Sequence, residues 1–240
     1  PLSLLEISNE IEFAIIEMGA NHIGEIKLLS KIAEPDYGYI TNFGKAHLEG
    51  FGSEEGVIKG KSELYDYLVS NSGFIFYNSD DEKQKIILSE YKNKFGFSQK
   101  ESDLSYTVIS ENPNIILSIK NMTFESTLFG SYNIQNIISA VSIGSYFGIS
   151  IEKIKKGVSD YIPSNNRSQI VKKNSNKIVL DAYNANPTSM TLAIKSFDKS
   201  DLKNKILILG DMFELGKEEN KFHQEIVDLS LIHISEPTRQ

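Results

Sequence analysis

The chain has 240 residues, a formal net charge of -7, 40% hydrophobic residues and no cysteine. This is enough chain for one large or two modest domains with a buried core, and the composition is that of an ordinary globular protein. The negative charge argues against nucleic-acid or anionic-membrane partners, the lack of cysteine excludes disulfides and thiolate metal sites, and no apolar run approaches the roughly 20 residues that cross a bilayer.

Strands and helices are predicted to alternate along the first part of the chain. Short apolar runs predict strands at 13–16, 37–43 and 74–77. Apolar residues at helical spacing predict helices at 24–33 and 54–68. This alternation favours an α/β fold with a mostly parallel sheet.

The middle of the chain has a different pattern. Short β-rich runs at 106–109, 115–119 and 123–128 are separated by turns that contain Asn and Pro. They predict a small antiparallel flap attached to the sheet. Two helices are predicted after the flap, at 134–147 and 151–161.

The best candidate for a domain boundary is the Pro-Ser-Asn-Asn segment at 163–166, after which the α/β pattern restarts. Strands are predicted at 178–180 and 206–209, and helices at 189–197 and 218–229. Two strands and two helices are only the first, N-terminal part of a doubly wound domain. We therefore expect this domain to be truncated.

The sequence therefore predicts two domains, at 1–162 and 163–230. Residues 231–240 depart from the preceding pattern, and we predict that they are a non-native tail. The alternative is an ordinary native C-terminus.

Three polar residues occupy positions where parallel sheets collect functional groups. Glu17 ends the first predicted strand, His47 follows the second, and Lys61 lies in the next helix. Carboxylate oxygens suit Mg²⁺, and an imidazole can complete its coordination. The simpler interpretations are a solvated charge, a structural histidine and a surface lysine beside Glu63.

Six runs of the sequence, in order, resemble signature segments of the Mur ligase family, most closely those of its MurF branch. They are 17–26 (EMGANHIGEI), 41–53 (TNFGKAHLEGFGS), 61–65 (KSELY), 130–136 (GSYNIQN), 181–190 (DAYNANPTSM) and 210–216 (GDMFELG). Tyr132 stands where the family usually has His, and His223 stands where the family commonly has one. The resemblance covers nearly all of the chain except the predicted tail.

The resemblance implies a fold and an activity. The fold would be a central ATPase-type α/β domain with a mostly parallel sheet and an antiparallel flap, followed by a truncated Rossmann-like α/β domain. The activity would be that of an ATP-dependent amide ligase of peptidoglycan precursor synthesis. It would add D-Ala-D-Ala to UDP-N-acetylmuramoyl-tripeptide through an acyl phosphate, with ATP and Mg²⁺. Its partners would be these small molecules, and the protein would be a cytoplasmic monomer that binds no nucleic acid and does not insert into membranes.

The resemblance also implies roles for individual residues. Glu17 would bind a Mg²⁺ near the γ-phosphate, His47 would bind a second Mg²⁺, and Lys61, if carbamylated, would supply an anionic oxygen ligand. The nucleotide would contact Asn133, Asn136, Arg167 and Asp181, and the substrate would contact Asn21, His22, Asn184, Asn186 and Ser189. Simpler alternatives remain for some of them, namely helix capping by Asn133, helix capping by Thr188 or Ser189, and a plain turn at Asn186.

The sequence also departs from the family. The full phosphate-loop pattern, Gly-x-x-x-x-Gly-Lys followed by Thr or Ser, is not found in it; Gly60-Lys61-Ser62 matches its last three positions, but position 55 is Glu and not Gly. In the family this loop precedes the segment that resembles 17–26, so we expect it upstream of Pro1, along with the domain that binds the UDP-sugar. We therefore expect the 240 residues alone to have negligible ATPase and ligase activity.

Other readings of the resemblance remain open. The Mur ligase that adds the third amino acid usually carries Asp-Asn-Pro-Arg, which this sequence lacks. Folylpolyglutamate synthases share the metal-binding and lysine pattern. A third alternative is a truncated remnant without catalytic activity that at most binds nucleotide.

Overall fold

The computed structural model describes residues 2–45 and 47–231. Within these ranges, none of the helices has the length and apolar character needed to cross a membrane. The main sheet has six strands in chain order, β1 (Tyr37–Tyr39), β2 (Phe74–Asn78), β3 (Lys94–Ser98), β4 (Leu104–Ser110), β5 (Ile115–Ile119) and β6 (Met122–Ser126). Strands β1 to β4 pair in parallel, and β4 to β6 pair antiparallel. The α/β class, the mostly parallel sheet and the antiparallel flap are thus confirmed.

Six α-helices accompany this sheet. They are α1 (Glu25–Ala33), α2 (Leu48–Phe51), α3 (Glu54–Ser70), α4 (Glu82–Ile87), α5 (Ile134–Tyr146) and α6 (Ile151–Asp160). Helix α3 begins after Ser53, whose side chain accepts a hydrogen bond from the Gly56 amide, and helix α6 is capped in the same way by Ser150. These caps satisfy amides that have no partner inside the helix and so fix where each helix begins.

The largest core lies between the flap, the end of the parallel sheet and α5. Ile134, Ile137, Ile138 and Val141 recur at helical spacing on the buried face of α5. They pack in one cluster with Phe97 and with the inward-facing residues of β4 to β6. A second cluster lies under α3 and includes Tyr65 and Leu68.

The remaining elements follow residue 166. Strands β7 (Gln169–Lys173) and β8 (Asn176–Leu180) form an antiparallel hairpin, and helices α7 (Pro187–Lys199) and α8 (Glu219–Leu231) pack against each other. We call residues 166–231 the hairpin region and residues 25–160 the sheet region. Of the predicted tail, Leu231 is the last residue of α8, and 232–240 lie outside the described residues.

Two predicted strands are wrong. Residues 13–16 and 206–209 are not strands, and Ile15 and Ile208 are 97% and 95% exposed. A strand is stable only where its backbone amides and carbonyls pair with a neighbour, and neither run pairs with any strand in the described residues. The predicted strand 178–180 exists, but β7, which the sequence did not predict, makes it part of an antiparallel hairpin.

Alkaline pH should destabilise the fold through a buried phenol in β1. Burial raises the pKa of Tyr39 to about 12, whereas an unfolded tyrosine titrates near pH 10. Above about pH 10 the folded state therefore binds more protons than the unfolded chain, so the free energy of unfolding should fall between about pH 10 and pH 12. Urea unfolding at several alkaline pH values should give a shallower fall for Tyr39→Phe. Equal slopes for the two proteins would contradict the expectation.

Candidate functional site

Of the three predicted metal-side residues, His47 lies in the segment 42–49, which follows β1 and ends within α2, and Lys61 contacts the start of that segment. Lys61 reaches this segment from α3, and its Nζ donates a hydrogen bond to the Asn42 carbonyl at 2.8 Å. Burial lowers the pKa of Lys61, because a charged ammonium is poorly solvated there. His47 lies five residues after Asn42, directly before α2. The structure thus places Lys61 and His47 at the same segment.

The His47 ring contacts a residue of the hairpin region. Its Nδ1 lies against the Glu214 carboxylate in a close contact. A carboxylate can only accept, so Nδ1 carries the proton and, in the neutral ring, Nε2 keeps its lone pair. Histidines that bind metals are commonly oriented by such a carboxylate. Glu214 lies in the signature segment 210–216, but the sequence alone predicted no role for it.

Glu17 is not brought to His47 or Lys61. It is exposed, and none of the contacts found among the described residues joins it to either of them. Within the same residues, there is no cluster of three or more His, Cys, Asp or Glu side chains that could hold a metal ion. Only two of the three predicted metal-side residues therefore meet at one segment.

The turn that carries Asn21 and His22 is held in place by two glutamates. Glu25 Oε2 accepts from the backbone amides of both residues, at 2.7 and 3.1 Å, and these bonds lower the pKa of Glu25. Glu63 Oε1 and Oε2 accept from the amides of Gly24 and Lys27, at 2.7 and 2.9 Å. Glu63 belongs to the signature run 61–65, but no role was predicted for it; in the structure it fixes the start of α1.

The same turn also lies against α2. A Cβ added to Gly50 would lie 2.2 Å from the Asn21 carbonyl oxygen, so only glycine allows this approach. The side chains of Asn21 and His22 are exposed beside it. The predicted substrate-side pair is thus adjacent to the helix that follows His47.

Three of the four predicted nucleotide-side residues belong to one hydrogen-bond network between the two regions. Asn136 Nδ2 donates to Asn133 Oδ1 at 3.1 Å, and Asn133 Nδ2 donates to Ser168 Oγ at 2.8 Å. The Ser168 amide donates to Asp181 Oδ1 at 3.1 Å. Arg167, the fourth, is exposed and stacks over Tyr183 with 3.9 Å between its guanidinium carbon and the ring centre.

Tyr132, which replaces the usual family histidine, completes this network. Its hydroxyl lies 2.9 Å from Asp181 Oδ2 and 2.8 Å from Ser168 Oγ. Since the carboxylate only accepts, Tyr132 donates to Asp181 and accepts from the Ser168 hydroxyl. Burial raises the pKa of Tyr132 and keeps its proton in place for this bond. Asn133 makes no capping bond to α5, so the capping alternative for this residue is wrong.

Ser189, by contrast, does take part in helix capping, and Asn186, for which the alternative was a plain turn, is the residue that caps α7. The Asn186 side chain accepts from the Ser189 amide at 2.9 Å, and the Ser189 hydroxyl lies 3.2 Å from the Asn186 amide, which donates to it. This capping box and Pro187 at the first turn fix the start of α7. Asn184 uses Oδ1 to accept from the next amide, that of Ala185, at 2.8 Å.

Removing the cap should cost measurable stability. Asn186→Ala loses the side-chain acceptor, and we expect the free energy of unfolding to fall by about 1 kcal/mol. Asn186→Ser is the matched control, because serine can cap a helix equally well and should restore most of the loss. Urea titration followed by circular dichroism measures both variants. An equal loss in both would show that capping is not what Asn186 contributes.

All six signature segments meet in one set of contacts. The segment 41–53 approaches 17–26 at Gly50 and contacts 61–65 through Asn42. It also contacts 181–190, where the Lys45 amide donates to Thr188 Oγ1 at 3.0 Å, and 210–216, where His47 meets Glu214. The run 130–136 contacts 181–190 through the hydrogen bond from the Tyr132 hydroxyl to Asp181. Residues far apart in sequence thus form one site at the junction of the sheet and hairpin regions.

Two family profiles match the chain. The Mur ligase middle domain matches residues 1–144, and the Mur ligase, glutamate ligase domain matches residues 166–232. The UDP-N-acetylmuramoyl-tripeptide--D-alanyl-D-alanine ligase of Bacillus subtilis is 35% identical over 229 residues, which cover 94% of this chain and 50% of that protein. The enzyme of the same name from Escherichia coli is 32% identical and covers 94% of this chain and 52% of its own length. The chain spans about half the length of the curated relatives it matches.

Solved structures give the same result. The crystal structure of MurF from Acinetobacter baumannii superposes with a TM-score of 0.81 at 30% identity, over 94% of this chain and 51% of that one. MurF ligase from Thermotoga maritima in complex with ADP superposes with a TM-score of 0.78 over 89% of this chain and 50% of that one. The identity to the Thermotoga protein is 24%, so that likeness concerns the fold alone.

Proposed function

This chain belongs to the Mur ligase family, and we propose that it forms the middle and C-terminal parts of an ATP-dependent ligase that adds D-Ala-D-Ala to UDP-N-acetylmuramoyl-tripeptide. The observation that carries the proposal is the junction where all six signature segments are in contact. The choice of substrates is supported by the similarity, over 94% of this chain, to relatives named for this reaction.

In the proposed reaction, the terminal carboxylate of the tripeptide takes the γ-phosphoryl group of ATP, and ADP leaves. The amine of D-Ala-D-Ala then attacks the acyl carbon, an amide forms, and inorganic phosphate and a proton are released. Little of this requires covalent chemistry by the protein, whose task is to position the reactants and neutralise charge. Bound Mg²⁺ would neutralise the negative charge on the phosphate oxygens.

His47 fits the proposed magnesium site, and Lys61 fits it only after modification. With Nδ1 protonated against Glu214, His47 has Nε2 free to bind a cation. The ammonium of Lys61 would repel a metal ion. Burial lowers the pKa of Lys61, which increases the neutral amine that can react with CO₂. A new N–C bond then forms, a proton leaves for solvent, and the resulting carbamate is an anionic oxygen ligand. Glu17 would bind the other Mg²⁺, near the γ-phosphate of ATP.

On the nucleotide side, we propose that Arg167 contacts phosphate and that Asn136 and Asp181 face the nucleotide. Arg167 supports this because it is exposed, and its planar group of five N–H donors suits phosphate oxygens. Asn133 would act beside them through Asn136, since its Nδ2 donates to Phe129 and Ser168 within the protein. Asp181 accepts from Ser168 and Tyr132, so its orientation is already fixed.

We further propose that Asn21, His22 and Asn184 face the substrate peptide, and that Asn186 and Ser189 support that surface through their cap. The domain boundary would fall at 162/163, since the two family profiles leave residues 145–165 between them. The protein would act as a monomer in the cytoplasm.

The test is an assay of ATP-dependent phosphate release by the protein that contains this chain. We expect turnover with UDP-N-acetylmuramoyl-tripeptide and D-Ala-D-Ala, and none when a single amino acid replaces the dipeptide. Turnover with the single amino acid alone would assign the protein to a sister ligase. A folded protein that neither turns over nor binds ATP with Mg²⁺ in calorimetry would be the non-catalytic remnant.

A further inference from the structure

We propose that Glu214 is a positioning residue, which reaches across the junction and fixes both the tautomer and the direction of the His47 ring. The contact itself is independent of the reaction. Its use in binding a divalent cation through His47 rests on the proposed function.

Glu214 contacts the sheet region twice. Its carboxylate lies against His47 Nδ1, and its carbonyl accepts from the Glu49 amide at 3.1 Å. Both His47 and Glu214 have left-handed backbones, with φ of 53° and 61°. Such conformations cost about 1 kcal/mol or more for residues other than glycine and persist only where their surroundings enforce them. Because both residues of this contact have such a backbone, we infer that the surrounding packing imposes the His47–Glu214 arrangement.

The packing around the contact supplies that constraint. Met212 and Leu215, on either side of Glu214, are buried in the core cluster of the hairpin region. Leu48, the residue after His47, packs against the same cluster. Because the neighbours of both residues are anchored in one core, the backbones that carry His47 and Glu214 are held in place, although the Glu214 side chain itself is exposed.

A second histidine anchors the Glu214 loop. The Met212 amide donates to His223 Nε2 at 3.1 Å, and His223 Nδ1 lies 3.0 Å from the Glu219 carbonyl, to which it must donate. His223 is therefore neutral in this arrangement, with its proton on Nδ1. This ring ties the start of the loop to α8, and Leu215 ties its end to the core.

The chemical consequence is a chosen tautomer for His47. A free neutral imidazole side chain favours the proton on Nε2, whereas the Glu214 carboxylate requires it on Nδ1. Only the second form presents the Nε2 lone pair that a cation needs. Glu214, in the hairpin region, is thus not itself a metal ligand. It fixes the tautomer of His47, in the sheet region, in which Nε2 can bind a cation.

The test reads the tautomer directly by nitrogen NMR of the chain labelled with ¹⁵N-histidine, at a pH where the ring is neutral. The sequence has four histidines, and a His47→Asn variant identifies the His47 signals. We expect the Nδ1–H tautomer to predominate in the wild type and to be lost in Glu214→Ala. Glu214→Gln keeps an acceptor oxygen and should restore it. Glu218→Gln is the matched control, because this exposed carboxylate pairs with Lys221 and not with His47.

The outcomes separate the positioning role from the proposed reaction. An unchanged His47 tautomer in a folded Glu214→Ala chain would overturn the proposal, as would an equal change in Glu218→Gln. Mn²⁺, added alone as a paramagnetic probe, should broaden the His47 signals in the wild type more strongly than in Glu214→Ala. If the tautomer responds to Glu214 but Mn²⁺ leaves His47 unaffected, the positioning role stands and the metal role of His47 fails.

Discussion

Replacing Lys61 by alanine should lower ligation by the protein that contains this chain by about a thousandfold, which corresponds to about 4 kcal/mol of transition-state stabilisation. The variant loses the amine that would carry the carbamate, and with it an anionic ligand close to His47. Added acetate should restore part of the activity, because a small carboxylate can occupy the space and supply the same charge. Phosphate release, measured with and without acetate, gives both results.

Lys59→Ala is the matched control for this prediction. Lys59 lies two residues earlier in α3 and is exposed, so its loss should leave turnover unchanged. An independent readout is carbon NMR in ¹³C-bicarbonate, where a carbamate signal should appear for the wild type and for Lys59→Ala but not for Lys61→Ala. Full turnover of Lys61→Ala, or a carbamate signal that survives the substitution, would refute the assignment.

Phe97→Ala should cause the largest loss of stability among the changes considered, about 3–5 kcal/mol. Phe97 lies in β3, is 0% exposed, and packs in the core between the sheet and α5. Its ring centre lies 5.8 Å from that of Tyr39 in β1. Removing the ring leaves a cavity that the strands around it cannot close, because their hydrogen bonds fix their spacing.

Phe213→Ala makes the same chemical change at an exposed position. Phe213 is 76% exposed, and we expect the free energy of unfolding to change by less than about 0.5 kcal/mol. Urea unfolding followed by circular dichroism compares the two variants. Similar losses for both, or a loss below about 1 kcal/mol for Phe97→Ala, would show that the core does not depend on this ring.

The sequence predicted elements where local pattern decides the structure. Helices α1, α3 and α5 have a buried face at helical spacing, and the flap strands alternate between buried and exposed residues. The runs at 13–16 and 206–209 are as apolar as real strands, but an apolar run does not reveal whether a partner strand lies beside it. The short helices α2 and α4 and the strand β3 give too weak a local signal and were missed.

The site was predictable only in part, for a similar reason. Lys61 and His47 follow from the signature segments and do lie at one place. Glu214 and Ser168 were missed because their roles depend on contacts across the chain, 167 and 35 residues away from His47 and Asn133. No spacing in the sequence reports such a contact. The only indication in the sequence was that Glu214 belongs to the signature segment 210–216, although no function was predicted for it there.

Helix α3 lies between two loops of the site and is hydrogen-bonded to both. Lys61 and Glu63 are two residues apart, so their side chains leave the helix on nearly opposite sides, about 160° apart. One side chain reaches the segment before His47, and the other holds the turn that carries Asn21 and His22. The separation between the two loops is therefore set by helix geometry, and a one-residue insertion between Lys61 and Glu63 would swing one loop contact by about 100°. A displacement of α3 would therefore disturb the contacts to both loops together.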